Sequence, residues 1–153
     1  MSLPRILFTC SSGGHLEELL QLQEIIMENE SYLFTEKNQK KLKEFKKVYT
    51  VKQINRKEKR FGLNFLKLFF LSYKIIKEIQ PSIIISTGAL VTVPICIIGK
   101  MNHIKIIYIE SFARIDKPSL TGKIMYKFAD IFIVQWKDLL KYFPKAKFWG
   151  GIF

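Results

Sequence analysis

Short apolar runs alternate with amphipathic stretches along almost the whole chain, and this alternation restricts the fold more than any other feature. The apolar runs are rich in β-branched and aromatic residues, which predicts seven strands: Ile6–Thr9, Ser31–Phe34, Val48–Val51, Ile83–Ser86, Ile104–Ile109, Ile131–Val134 and Lys147–Trp149. Helices are expected between them, at His15–Glu28, Asn38–Lys46, Gly62–Ile79, Leu90–Met101, Leu120–Phe128 and Trp136–Tyr142. Alternating strands and helices form βαβ units, so the pattern predicts an α/β fold with a doubly wound parallel sheet.

The chain has the size of one domain. Its 153 residues are 48% hydrophobic, which suffices for a single core, and we expect one domain over residues 1–153. Cys10 and Cys96 stand in apolar contexts, and neither belongs to a CxxC pair or to a Cys/His cluster with metal-site spacing. No secretory signal is expected from the first ten residues. These features predict a reduced cytoplasmic protein with no metal and no cofactor.

One segment has the length of a membrane-spanning helix. Residues 79–99 contain no charged side chain. However, Pro81 opens the segment, Ser86, Thr87 and Gly88 interrupt it, and Pro94 falls where a new helix would begin. The segment is therefore predicted to be a buried strand, a glycine turn and a buried helix.

Positive charge is concentrated in one part of the chain. The net charge is +12, and the segment from Lys37 to Arg60 holds eleven basic residues against Glu44 and Glu58, a net of +9. Such a cluster favours phosphate, either on nucleic acid or on an anionic membrane, although a solvated surface has the same composition.

The basic cluster runs directly into an unusually apolar helix. Basic residues beside aromatic ones are typical of an interfacial helix at anionic headgroups; a wide core helix is the alternative. The residues predicted to contact a membrane are Arg56, Lys57, Lys59, Arg60, Phe65, Phe69 and Phe70.

A glycine turn separates the first strand from the first helix. Ser11, Ser12, Gly13 and Gly14 precede His15, and a turn at this place presents backbone N–H groups to an anion. The turn matches neither the P-loop pattern nor the dinucleotide GxGxxG pattern. It is predicted to bind a phosphate or a sugar, and the alternative is a tight turn whose histidine only caps the helix.

Two further strand ends carry polar residues. Thr87 and Gly88 follow the fourth strand, and Glu110, Ser111 and Arg114 follow the fifth. Because the carboxyl ends of parallel strands share one edge of the sheet, these residues are expected to face the glycine turn and to bind substrate. His15 is the first candidate for a catalytic base and Glu110 the second. Glu110 is alternatively a helix cap or an ion-pair partner of Arg114.

Several strings occur in an order that resembles a known family. They are Ser11–Leu19, Ser86–Gly88 followed by Pro94, Ile109–Arg114, Ser119–Lys123 and Phe132–Trp136. Together they resemble the Alg-fourteen type of oligosaccharide-biosynthesis proteins, whose bacterial branch includes the PssD and CpsF accessory subunits of capsular and exopolysaccharide glycosyltransferases.

The resemblance implies a Rossmann-like GT-B amino-terminal domain that binds a lipid-linked saccharide acceptor and recruits a partner to the membrane. The partner would be a donor-binding GT-B carboxyl-half subunit that supplies the UDP-sugar. The last residues, from Phe148 to Phe153, stand where a two-domain enzyme would continue into its linker, so this second half is expected on another polypeptide. The protein is then expected to be peripheral on the inner face of the cell membrane and inactive alone.

Two other functions fit parts of the sequence. The charge alone favours a nucleic-acid-binding α/β module, but no helix-turn-helix, zinc-finger or RNP motif accompanies it, and nucleic acid is not expected as a partner. A self-sufficient small glycosyltransferase is the second alternative.

Overall fold

Seven parallel strands form one sheet in the computed structural model, which describes residues 2–153. The strands are β1 (Arg5–Cys10), β2 (Glu30–Glu36), β3 (Lys47–Val51), β4 (Ile83–Gly88), β5 (Lys105–Ile109), β6 (Ile131–Val134) and β7 (Lys147–Phe148). Their order across the sheet is β3-β2-β1-β4-β5-β6-β7, and every neighbouring pair is parallel. The predicted doubly wound parallel sheet is confirmed.

The chain reverses its direction of travel across the sheet between β1 and β4. It first builds outward from β1 to β3 and then returns to the other side of β1, where Ile6 pairs with Ile83. In an open α/β sheet the loops at such a point diverge and leave a crevice at the carboxyl ends of the strands. The fold therefore places the turns after β1 and β4 at the position where ligands usually bind.

Helices cover both faces of the sheet. They are α1 (Gly14–Leu20), α2 (Gln23–Glu28), α3 (Phe61–Ile79), α4 (Val93–Met101) and α5 (Leu120–Met125), with 3₁₀ turns at Leu90–Thr92 and Lys137–Lys141. Ile6 and Phe8 of β1 pack with α1 and α2, whereas Leu7 packs on the opposite face with α3 and α4. This alternation follows from the two-residue period of a strand and gives two core layers.

The helix predicted at Asn38–Lys46 does not form. The Asn38 side chain instead accepts a hydrogen bond from the Lys40 backbone N–H and donates to the Glu36 carbonyl, which fixes a local turn. Such side-chain to backbone bonds compete with a helix, and Leu42 and Phe45 are the only apolar residues between Asn38 and Lys46 that could stabilise one by packing. The like-charged lysines of this segment oppose the helix further.

The helix predicted at His15–Glu28 is two helices. The N–H groups of Gln21 and Leu22 donate to carbonyls three residues earlier, at 3.2 and 3.0 Å, so the chain tightens and turns between α1 and α2. Neither a glycine nor a proline marks this break in the sequence.

The uncharged segment 79–99 divides as predicted. It contains the end of α3, strand β4, a 3₁₀ turn and most of α4. Across residues 2–153, no helix combines the length and the apolar character needed to cross a bilayer.

Candidate functional site

A pocket of about 710 Å³ opens at the carboxyl edge of the sheet, beside the point where β1 and β4 diverge. Its walls come from the segments that follow five strands. The polar residues that line it are Ser11, Ser12, His15, Glu36, Gln53, Arg56, Ser111, Arg114, Ser119 and Thr121. The structure therefore brings the predicted turns and the loop after β5 into one cavity.

His15 lines this pocket and is held by the turn after β4. Its Nδ1 lies 2.9 Å from the carbonyl oxygen of Thr87, and the Thr87 hydroxyl donates to the His15 carbonyl at 2.8 Å. A carbonyl oxygen can only accept, so Nδ1 carries the hydrogen. In the neutral ring this leaves Nε2 unprotonated, which is the state that a general base requires.

The glycines shape the site without lining it. Gly13 has φ +77° and accepts the first hydrogen bonds of α1 from Leu16 and Glu17. Gly88 has φ +110°, and a Cβ there would lie 3.1 Å from the Tyr108 hydroxyl and 3.3 Å from the His15 ring. Only glycine adopts this backbone conformation freely while leaving room for the histidine. The exposed Gly14 and the buried Thr87 do not line the pocket either.

Glu110, the second candidate base, is fully buried beneath the pocket rather than on its wall. Its carboxylate accepts from the Ser111 N–H at 3.0 Å, the Ser119 N–H at 3.1 Å and the Ser119 hydroxyl at 2.8 Å. Ser119 in turn caps α5 by accepting from the Gly122 N–H. A Cβ on Gly122 would lie 1.9 Å from the carboxylate, so the glycine leaves the space that Glu110 fills. Glu110 is thus not itself the cap of α5; its carboxylate holds Ser119, the residue that caps this helix.

Glu36 is a pocket residue that the sequence analysis missed. Its side chain is almost fully buried and accepts from the Ser12 N–H at 3.3 Å, the Ser12 hydroxyl at 3.2 Å and the Ile54 N–H at 3.3 Å. The Ser12 amide, expected to face an anionic ligand, is thus directed to a carboxylate of the protein. The position of Glu36 at the end of β2 is the signal that could have identified it, because strand ends of a parallel sheet meet at this edge.

Positive charge reaches the pocket from two loops. Arg114 lies on the loop after β5, where its N–H closes a turn on the Ser111 carbonyl at 2.9 Å. Arg56, predicted as a membrane contact, also lines the pocket from the segment after β3. Both side chains are exposed and therefore available to a phosphate-bearing ligand.

Glu18, a third buried carboxylate, supports the loop that carries Arg114. Glu18 of α1 accepts from the Phe112 N–H and from Gln135 Nε2. Gln135 also donates to the Glu110 carbonyl and accepts from the Ile152 N–H, both at 3.0 Å. Burial raises the pKa of the Glu18 carboxyl above its ordinary value. These bonds join α1, the loop after β5 and the last residues of the chain.

The predicted membrane residues lie on α3 and in the segment before it. Arg56, Lys57, Lys59 and Arg60 are all exposed. Phe70 is 69% exposed, whereas Phe65 and Phe69 are half-buried, with Phe65 stacked on Phe61 at 5.5 Å between ring centroids. The apolar residues that α3 does expose are Leu63, Leu66, Phe70 and Tyr73. Their spacing of three and four residues places them on one face of the helix.

Comparison with known proteins identifies related chains. The family described as "Oligosaccharide biosynthesis protein Alg14 like" matches residues 32–152. The mouse protein named UDP-N-acetylglucosamine transferase subunit ALG14 is 26% identical over 183 aligned residues, which cover 97% of this chain and 82% of the mouse protein. Proteins of the same name from Kluyveromyces lactis and human are 53% and 33% identical over shorter segments, covering 33% and 57% of this chain. These segments span only 24% and 43% of the two relatives.

Solved structures share the fold. MurG from Acinetobacter baumannii superposes with a TM-score of 0.66 at 14% identity, covering 86% of this chain and 41% of MurG. UDP-GlcNAc 2-epimerase from Neisseria meningitidis, solved with UDP-GlcNAc bound, gives 0.69 at 10% identity, covering 97% of this chain and 47% of the epimerase. At these identities the likeness is one of fold, and in both cases it involves less than half of the larger protein.

Proposed function

Because this chain belongs to the Alg14-like family of oligosaccharide biosynthesis proteins, we propose that it is the acceptor-binding, membrane-recruiting subunit of a two-subunit glycosyltransferase. The sugar would pass from a nucleotide sugar to a saccharide linked to polyprenyl diphosphate. The observation that carries this proposal is the pocket beside the point where β1 and β4 diverge. In it, Thr87 orients His15, and the exposed side chains of Arg56 and Arg114 can bind phosphate.

The pocket contains the groups that the acceptor side of such a reaction needs. His15 Nε2 takes the proton from the acceptor hydroxyl, whose oxygen then attacks the anomeric carbon of the donor sugar. The bond between that carbon and the nucleoside diphosphate breaks, and the diphosphate leaves with the bonding electrons. Arg56 and Arg114 bind the diphosphate that joins the acceptor sugar to its lipid. Ser11, Ser12 and Ser111 lie within the same cavity and supply hydroxyls for the sugar.

We assign Glu110 to positioning rather than to proton transfer. Its acceptor oxygens are occupied by the N–H groups of Ser111 and Ser119 and by the Ser119 hydroxyl. Glu110 thus holds the loop after β5 at both of its ends, Ser111 and Ser119. These contacts fix the course of the backbone that carries Arg114. Thr87 and Gly88 act in the same indirect way, by orienting His15 and leaving space for it.

The donor is expected to be bound by a separate GT-B carboxyl-half subunit. The relatives carry the name UDP-N-acetylglucosamine transferase subunit, so UDP-GlcNAc is the first donor to test. Membership of the bacterial branch of the family, with a role in capsule or exopolysaccharide synthesis, is part of the proposal. The single domain over residues 1–153 would form a heterodimer with the donor-binding subunit.

The membrane contact is proposed for the exposed face of α3 and the basic cluster before it. Leu63, Leu66, Phe70 and Tyr73 form an apolar stripe on a helix whose opposite side packs into the core. The cluster Arg56–Arg60 precedes the first turn of this helix. An apolar stripe next to exposed cations suits a peripheral position at an anionic membrane, here the inner face of the cell membrane.

Reconstitution with the donor-binding subunit tests the proposal. Neither protein alone should transfer sugar, because a GT-B site is complete only between two domains. When both proteins are mixed with a polyprenyl-diphosphate-linked acceptor, transfer from UDP-GlcNAc or another UDP-sugar should appear. The measurement is formation of the extended lipid-linked saccharide. Sustained turnover by this chain alone would contradict the two-subunit assignment and favour a self-sufficient enzyme.

A further inference from the structure

A second groove lies next to the pocket and is separated from it only by the segment after β3. It encloses about 630 Å³, and Gln53 and Ile54 line both cavities. Its floor includes Leu68 and Leu71 of α3 together with Val51 at the end of β3. The groove thus begins where the polar pocket ends, and its floor is apolar.

The rim of this groove is positively charged. Lys52, Arg60 and Lys67 line it, and all three are exposed, against a single acidic side chain, Glu58. Arg56 lines the neighbouring pocket, which shares Ile54 with the groove. A ligand with a charged phosphate group and an apolar chain is complementary to this combination, because the cations attract the phosphates while the floor removes the chain from water.

The helix geometry connects the groove to the proposed membrane face. Arg60, Asn64, Lys67 and Leu71 follow one another at four, three and four residues, so they form one stripe along α3. The exposed apolar stripe that contains Leu63, Leu66 and Phe70 lies beside it, because Lys67 of the groove is four residues after Leu63 and three residues before Phe70. Pocket, groove and apolar stripe are therefore consecutive along the surface.

We propose that this groove binds the first isoprene units of the acceptor lipid. The inference rests on the proposed function, since it gives the pocket to the acceptor sugar and keeps the diphosphate on Arg56 and Arg114 of the pocket, with the groove next to Arg56. The chain then runs over Leu68 and Leu71 and reaches the bilayer beside Phe70. In this arrangement the protein binds the lipid carrier as well as the sugar, and the acceptor need not leave the membrane entirely to enter the pocket.

Binding of prenyl diphosphates to the purified full chain, without vesicles or partner, tests the groove directly. The probes are inorganic diphosphate, dimethylallyl diphosphate with one isoprene unit, and geranylgeranyl diphosphate with four, each titrated by calorimetry below the concentration at which it aggregates. The long prenyl diphosphate should bind at least about tenfold more tightly than the short one, because several more CH₂ groups leave water.

Two variants locate the chain. Asn64→Trp fills the groove and Leu71→Gln makes its floor polar, so each should remove the advantage of the long probe while leaving inorganic diphosphate binding unchanged. Met27→Gln, an apolar to polar change at an exposed position of α2, is the matched control and should keep the advantage. Circular dichroism and thermal unfolding establish that each variant is folded, and either groove variant alone suffices for the test.

Equal affinity for the short and long probes would overturn the proposal, as would a long-chain advantage that survives in the folded groove variants. Absence of binding by all three probes would overturn it too. These outcomes are separable from failure of the proposed function, which is measured by sugar transfer in the reconstituted pair. If binding depends on chain length but the reconstituted pair transfers no sugar, the proposal for the groove would be supported and the glycosyltransferase assignment would be contradicted.

Discussion

His15 depends on a neighbour from a distant part of the sequence. Thr87 accepts from its ring with the backbone carbonyl and donates to its backbone with the hydroxyl. The two contacts fix both the ring and the backbone of His15, so Nε2 has a defined direction. Orientation of this kind is the usual requirement for an effective general base.

Replacement of His15 is expected to lower turnover with little effect on stability. In the reconstituted pair, His15→Asn should reduce kcat by about 10²-fold, the scale for loss of a general base, while the KM for the acceptor changes little. The other histidine provides the control: His103 lies beyond α4 with φ +60°, a conformation that asparagine tolerates, so His103→Asn should retain normal rates. Steady-state kinetics on both variants measures the difference, and a normal kcat in His15→Asn would assign the histidine to turn structure alone.

Individual site residues could be predicted from the sequence where they follow a strand. The positions of Ser11, Ser12, His15, Ser111 and Arg114 on one pocket follow from the parallel sheet, which brings the ends of distant strands together. The burial of Glu110 could not be predicted, because it depends on where Ser119 returns after a loop without regular structure. Glu36 was missed because a lone carboxylate at a strand end has no motif.

Among the elements, α3 carries the most information about function. One side packs into the core through Leu68, Ile75, Ile76 and Ile79, and the exposed side is also apolar at Leu63, Leu66, Phe70 and Tyr73. A surface helix needs only one apolar stripe for folding. The second stripe has no structural role in the described chain and is therefore the natural place to look for a membrane contact.

The exposed stripe of α3 is expected to control vesicle binding. The double variant Leu66→Gln/Phe70→Gln should bind phosphatidylglycerol vesicles at least about tenfold more weakly, since two large side chains no longer enter the headgroup region. Stability should change little because both side chains are mostly exposed. Ile25→Gln/Met27→Gln on α2 is the matched control. Cosedimentation with vesicles is the measurement, and equal binding by both double variants would remove α3 as the contact.

Sequence periodicity identified most elements and failed where local bonds decide the conformation. The strands are short apolar runs that only a sheet can bury, so their positions are recognisable. The segment after β2 has a helical sequence pattern, but the Asn38 side chain bonds to the backbone and starts a turn. The break between α1 and α2 consists of two tightened hydrogen bonds and has no signature in the residue types.

At the scale of the whole molecule, the basic residues that follow β3, from Lys52 to Arg60, lie at the same edge of the sheet as the pocket. The segment from Lys37 to Arg60 supplies most of the net charge of +12, and Arg56 and Arg60 line the pocket and the groove, respectively. The proposed membrane face is next to both. A protein attracted to an anionic bilayer through this cluster would therefore arrive with its pocket near the headgroups, where a lipid-linked acceptor is found.

This arrangement predicts that anionic vesicles activate the reconstituted pair through the basic cluster. Turnover of a long-chain acceptor should be higher in phosphatidylglycerol vesicles than in phosphatidylcholine vesicles, and Lys57→Gln/Lys59→Gln/Arg60→Gln should reduce that turnover by about tenfold. Each basic residue contributes about 1 kcal/mol near an anionic surface, and screening at physiological salt reduces the sum. A soluble acceptor with a short lipid needs no membrane, so its turnover should change far less.

A second triple variant separates the cluster from total charge. Lys105→Gln/Lys127→Gln/Lys145→Gln removes the same charge from exposed positions that do not line the pocket, with Lys105 at the amino end of β5, on the opposite edge of the sheet. It should retain activation by phosphatidylglycerol. If both triple variants lose activation equally, the net charge rather than the cluster draws the protein to the membrane. The variant Lys57→Gln/Lys59→Gln/Arg60→Gln could also lose as much activity on the short acceptor as on the long one. In that case these three residues act on the substrate itself, and the membrane interpretation is wrong.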